Sequence, residues 1–73
     1  MFQPGIYKHY KGKLYHGMAV VMHSESHEEM VLYRGLYDAY DLYVRPRTMF
    51  EEDVEIDGKV MPRFELIQPI VNG

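Results

Sequence analysis

The chain has 73 residues, no cysteine, 14% aromatic residues and a formal net charge of −3. That length holds one small domain, the missing thiols exclude disulfides, thiolate zinc sites and cysteine nucleophiles, and net acidity excludes a general nucleic-acid coat, which needs a broad positive field. No apolar run approaches the roughly 20 residues that cross a bilayer, and Met1–Gly5 lacks a basic region followed by an apolar stretch, so a cytoplasmic chain without a membrane partner is expected.

Tyr, Val, Ile and Phe dominate, and turn residues interrupt at short intervals, which predicts a mainly β domain. The first strand is expected at Gly5–His9, turning at Lys11-Gly12. The second runs over Leu14–His23, with Leu14, Met18, Val20 and Met22 on one face at period two. Gly17 and Ala19 on its other face imply close approach by another segment. Ser24–Glu28 is a polar loop. The third strand, Met30–Tyr37, sets Val31, Tyr33 and Tyr37 on one face and Met30, Leu32, Arg34 and Leu36 on the other. Asp38–Asp41 reads as a turn and Leu42–Arg45 as a short strand closed by Pro46.

One helical turn breaks the pattern. Thr48-Met49-Phe50-Glu51 fits a capping box, with Thr48 as N-cap and Glu51 reaching back to it. Phe50 would then plug one end of the fold. Val54–Ile56 and Val60 flank Asp57-Gly58, the strongest hairpin signal in the chain. Arg63–Ile67 forms the last strand, and residues 68–73 read as a loose C-terminal tail. Residues 1–73 thus form a single small β domain, a five- to six-stranded SH3-like barrel or a partly open β-sheet covered by the helical turn. Leu14, Met18, Val20, Val31, Tyr33, Val44, Phe50, Val54, Phe64 and Leu66 are the expected core.

The series Gly5-x-Tyr7-x-His9-x-Lys11-Gly12-x-x-Tyr15, His23-Ser24-Glu25, Val31-x-Tyr33-x-x-Leu36-Tyr37, Val44-Arg45-Pro46, Met49-Phe50, Val54, Gly58 and Arg63-Phe64 resembles a small bacterial family that carries only a domain-of-unknown-function label. The resemblance covers nearly the whole chain. Tyr43 stands where that family usually has tryptophan, and Ala19 where glycine is common, changes that touch fine packing rather than membership. What the resemblance implies is a compact bacterial domain, with no established activity.

Charge is unevenly spread. Residues 1–23 carry Lys8, Lys11 and Lys13 against no acid, a formal +3, whereas residues 24–73 carry five basic and eleven acidic side chains, a formal −6. A local basic patch on an acidic body suits a small anion or a defined contact. Tyr7–His16 interleaves its lysines with aromatics, the composition that holds a phosphate and stacks a ring.

Other chemistries fit less well. His23 and His27 stand four apart near Glu25, Glu28 and Glu29, but that spacing aligns ligands on a helix, and this segment reads as a solvated loop, so no metal or other cofactor is expected. Ser24 between His23 and Glu25 has the residue types of a hydrolase, yet neighbours in an extended chain point apart, so a non-enzymatic module is expected. Arg45 and Arg63, each among apolar neighbours, either pair with a carboxylate such as Glu25, Glu51 or Glu65 or aim a forked donor at a ligand. The expected binding face is His9, Lys11, Tyr15, His23, Glu25 and Arg45, recognising an anionic ligand such as a nucleotide or nucleic acid. The alternative is a protein–protein interaction domain that pairs a partner strand along an exposed sheet edge.

Overall fold

A computed structural model, which describes residues 1–71, resolves the period-two segments into seven strands and one helical turn. These are β1 (Gly5–His9), β2 (Leu14–Met22), β3 (Glu29–Gly35), β4 (Leu42–Pro46), α1 (Arg47–Phe50), β5 (Asp53–Ile56), β6 (Lys59–Pro62) and β7 (Phe64–Pro69). Five strands form one antiparallel sheet in the order β4-β3-β2-β1-β7, and β5 and β6 form a separate hairpin. Asp57 and Gly58 turn that hairpin at φ 51° and 78°, the left-handed pair that a tight two-residue turn requires.

Of the two expected architectures, the open sheet is the one observed. β4 and β7 stay unpaired with each other, so the sheet does not close into a barrel. Its concave face is filled by aromatic rings. Tyr7, Tyr33, Phe50 and Phe64 are buried together with Val31, and Phe2 and Tyr15 pack against them. Phe50 lies flat on Phe64, with ring centroids 4.1 Å apart, and edge-on to Tyr7 at 5.2 Å. α1 therefore serves as a lid on the concave face, and Phe50 is its only buried residue.

Several expectations about faces and ends are corrected. Tyr15 and Gly17 face inward, because they pair with Tyr7 and Tyr33, and Leu14 points outward at 41% exposure. A β-bulge at Met18 then inverts the alternation, so that Val20 pairs with Val31 on the inward side. Met18, Val20 and Val54 are half-buried, while Val44 and Leu66 are exposed. Gly17 does mark a close approach: a Cβ there would sit 2.8 Å from the Tyr7 ring.

The capping box is not formed. Helix α1 begins two residues earlier, with Pro46 as N-cap and no side-chain cap. Glu51 closes the C-terminal end instead, and its carboxylate pairs with Arg47 at 3.1 Å. Proline preorganises the helix entry without needing a donor, so Thr48 is left without a capping role. The C-terminal tail is also more ordered than expected, since β7 runs to Pro69 and the Ile70 N–H donates to the Pro4 carbonyl at 2.9 Å. Residues 72 and 73 of that tail lie outside the described residues.

No helix among the described residues is long and apolar enough to cross a membrane.

Candidate anion-binding site

The site is built where β1, β2 and β7 present their inward residues near the β1–β2 turn, and the Arg45 side chain of β4 reaches into it from the Val20–Val31 row. His9 ends β1 and pairs with Phe64 of β7, so their rings meet edge-on at 4.9 Å. Tyr15 contributes a ring 5.6 Å from Phe64 and 6.3 Å from His9. Tyr33 lies 5.5 Å from Phe64, and Tyr43 flanks it at the same separation. Edge-to-face contacts of this kind favour a rigid aromatic floor over a loose apolar cluster.

Arg45 reaches that floor from the sheet's far edge. Its Cα pairs with Val31, and its Nε donates to the Tyr33 hydroxyl at 3.2 Å. The guanidinium carbon lies 5.7 Å from the centre of the Phe64 ring, a cation–π distance. Among the described residues Arg45 has no carboxylate partner, and its two terminal nitrogens make no hydrogen bond. None of the pairings with Glu25, Glu51 or Glu65 is formed.

Arg63 behaves differently. Its Nη2 pairs with Glu52 at 2.7 Å, and its backbone bridges the hairpin base to the β1–β2 turn through Glu52 and Tyr10. Among the described residues Arg63 Nε is buried without a partner, which leaves one donor of that fork desolvated. Arg63 therefore holds the hairpin against the sheet while adding positive charge beside His9.

The three cations are felt at one imidazole. Burial first, then the charges of Arg45, Arg63 and Lys11, hold His9 below the ordinary histidine value. His9 is thus neutral at pH 7, and its Nδ1 accepts from the Lys11 backbone N–H at 3.1 Å. The Tyr10 ring lies beside it, tilted by 31° at 4.5 Å, and the Lys11 ammonium lies 5.8 Å from the Tyr10 ring. A shallow pocket of about 200 Å³ opens here between Lys8, His9, Tyr10, Met61, Pro62 and Glu65.

Of the six expected site residues, the fold gathers His9, Lys11, Tyr15 and Arg45. His23 and Glu25 are excluded from this group. They sit in the β2–β3 loop, at the opposite end of the nine-residue β2, about 25 Å along the strand from the Lys11 turn. His23 is engaged there, since its Nδ1 accepts from the backbone N–H groups of Glu25 and Ser26 at 3.2 and 3.3 Å. Among the described residues no group of three or more His, Asp or Glu side chains converges as metal ligands would.

Tyr10, Tyr33, Tyr43, Arg63 and Phe64 were missing from the expected site. Arg63 carried a usable signal, as a charged residue among apolar neighbours. Tyr33 and Phe64 carried none, because a ring that floors a site and a ring that fills a core have the same pattern.

A search of curated proteins gives no match to the chain. Among solved structures it is similar to a crystal structure described as a protein of the DUF1653 family from Bordetella bronchiseptica. The two share 28% identity at a TM-score of 0.86, over 99% of this chain and 95% of that one. The model of the same family, described as a protein of unknown function, matches residues 5–66. Spanning β1 to β6, the α1 lid and the first half of β7, that match establishes that the chain belongs to the DUF1653 family.

Proposed function

We propose that this domain is a non-enzymatic module that binds an anionic ligand carrying a flat ring, with a nucleotide or a nucleic-acid segment as the ligand class. The observation that carries this reading is Arg45. Its Nε is fixed by the Tyr33 hydroxyl, its guanidinium carbon lies 5.7 Å from the Phe64 ring centre, and no carboxylate among the described residues neutralises it. A half-buried guanidinium costs desolvation unless an anion meets it, and its remaining fork matches a phosphate or carboxylate bidentately. Lys11 and His9 supply further contacts on the same side, and the rings of Tyr10 and Tyr15 offer stacking surfaces. Reactivity has no support of the same kind, because the one titratable group with a lowered value, His9, is ringed by cations and aromatics and touches no nucleophile.

The test is an amide chemical-shift titration of labelled protein with a nucleoside monophosphate, the matching nucleoside and inorganic phosphate. The monophosphate should move the resonances of His9, Tyr15, Arg45 and Phe64, and the nucleoside alone should move them far less. Arg45→Ala should weaken the monophosphate about tenfold or more, the value of one charge-assisted hydrogen bond. Equal binding by wild type and Arg45→Ala, with the fold intact, would end this reading.

A second reading rests on the open sheet. β4 and β7 each leave one side of their backbone unpaired, so a partner strand has two places to add. Salt separates the two readings, since phosphate contacts weaken steeply with ionic strength and main-chain pairing does not.

A further inference from the structure

β4 presents an open edge of the sheet. Its residues Leu42, Tyr43 and Val44 are exposed at 52%, 37% and 56%. The ladder to β3 decides which of their main-chain groups are unpaired. The Gly35 N–H donates to the Asp41 carbonyl, so Gly35–Asp41, Tyr33–Tyr43 and Val31–Arg45 are the bonded pairs. Alternation then turns the N–H and C=O of Leu42 and Val44 away from β3. No turn, loop or cap bond among the described residues meets them. Pro46, the next residue in that phase, has no N–H and ends the edge. Arg45 does not guard it, because its Nε donates to the Tyr33 hydroxyl and its guanidinium turns inward to Phe64. An apolar edge with unpaired main-chain groups is a template for another strand.

This edge complements itself in one register. A two-fold axis at Tyr43 sets Leu42 opposite a second copy's Val44, and Val44 opposite its Leu42, which bonds the outward groups of both residues in both copies. Tyr43 then meets Tyr43 in a non-bonded pair, where side chains come closest and aromatic pairs stabilise. Asp41 stands opposite Arg45 on either side of the axis, and neither has an ion-pair partner among the described residues. An axis at Leu42 would instead set Val44 against Tyr40, whose N–H and C=O are already engaged with Tyr37 and Arg34. An axis at Val44 would set Leu42 against Pro46, which has no donor. β7 lacks this fit, because a bulge interrupts its alternation beyond Leu66 and the Arg63 N–H before its start already donates to Glu52.

We propose that β4 pairs antiparallel with β4 of a second copy, joining two sheets into one continuous sheet. The inference rests on the second reading above, strand addition at an exposed edge, and narrows it to β4 and to a second copy. Such an isologous contact uses one patch twice, as closed dimers require. The outer row Ala19–Leu32–Val44 continues into the second copy's Leu42. Its Asp41 faces the stem of Arg45, whose fork stays on the concave side.

The absence of cysteine allows a direct test with single-cysteine variants. Tyr43→Cys places two thiols across the axis at a Cα separation of about 4.5 Å, within disulfide range, and should cross-link under mild oxidation. Leu42→Cys lies beyond the roughly 7 Å limit from its own copy and should not. Sedimentation velocity of the wild-type chain should show a dimer that dissociates on dilution. Val44→Pro removes an outward N–H without touching the β3 ladder and should weaken the dimer about tenfold or more while the sheet stays folded. If Val44→Pro does not fold, Asp41→Lys, which opposes a second cation to Arg45, should weaken it about threefold or more. A wild-type chain that stays monomeric at about 1 mM, where even a millimolar contact is populated, overturns the proposal. So does cross-linking by Leu42→Cys as readily as by Tyr43→Cys. Cross-linking through Leu66→Cys instead would overturn this proposal and leave strand addition standing at β7. A dimer whose Leu42, Val44 and Leu66 amides all stay in fast hydrogen exchange would overturn both.

Discussion

Replacing Phe50 with alanine removes the one buried side chain of α1. The ring is 2% exposed, lies flat on Phe64 at 4.1 Å and meets the rings of Tyr7, Tyr33 and Phe2 at 5.2, 5.5 and 5.9 Å. Large-to-small aromatic substitutions in cores cost about 3–5 kcal/mol. Phe50 also lines a pocket of about 310 Å³ that opens to solvent, so water can enter the vacated space. That places the expected loss near the lower end, about 3 kcal/mol. A chain of 73 residues has a total stability on the order of 4–11 kcal/mol, so the variant keeps a small margin or none. The uncapped start of α1 supplies nothing to compensate. Urea denaturation followed by far-UV circular dichroism measures the difference, and the thermal midpoint should fall by roughly 12–24 °C. A loss under about 1 kcal/mol at unchanged m-value would show that the α1 lid contributes little, and that the concave rings of the sheet are stable without it.

Two further outcomes follow from single contacts. Gly17→Ala drives a methyl group to 2.8 Å from the Tyr7 ring and 3.1 Å from Phe2, while Tyr7 is held by its hydroxyl bond to the Gln3 carbonyl; a loss of about 1–3 kcal/mol by the same denaturation is expected, and an unchanged midpoint would mean that the N-terminal segment shifts freely. His9 is held below the ordinary histidine value, so the unfolded chain binds the extra proton first. The His9 contribution to stability is complete above about pH 6.5 and is lost as pH falls from there through the folded value, and a histidine titration by NMR that finds His9 at or above 6.5 would contradict the cationic surroundings described here. A bound phosphate should raise that value, so monophosphate affinity should increase as pH falls through the same window, and a pH-independent affinity would separate His9 from the site.

Much of the strand layout was legible in the chain itself. Alternating β-formers gave β1 its full span and set β2, β3 and β4 within two residues at either end, because period-two burial and turn residues act locally. Asp57-Gly58 specified its hairpin for the same local reason, through backbone angles that few other pairs tolerate. The charge asymmetry of the first 23 residues pointed to His9, Lys11 and Tyr15 as neighbours, and a tight turn keeps such residues together.

What sequence could not decide was everything that depends on a second segment. The bulge at Met18 inverts which residues of β2 face the core, and no pattern within β2 announces it, because its cause is the pairing with β3. Whether the sheet closes is settled by β4 and β7, segments far apart in the chain whose separation depends on accumulated twist and on α1 filling the gap. The same long-range geometry leaves Arg45 against Phe64 without a carboxylate while giving Arg63 to Glu52, and it sends His23 and Glu25 to the far end of β2. Composition and local pattern fix which segments become strands, since those choices rest on each residue's own backbone preference. Tertiary packing fixes which faces are buried and which charges meet, since those are properties of pairs that only the folded chain brings together.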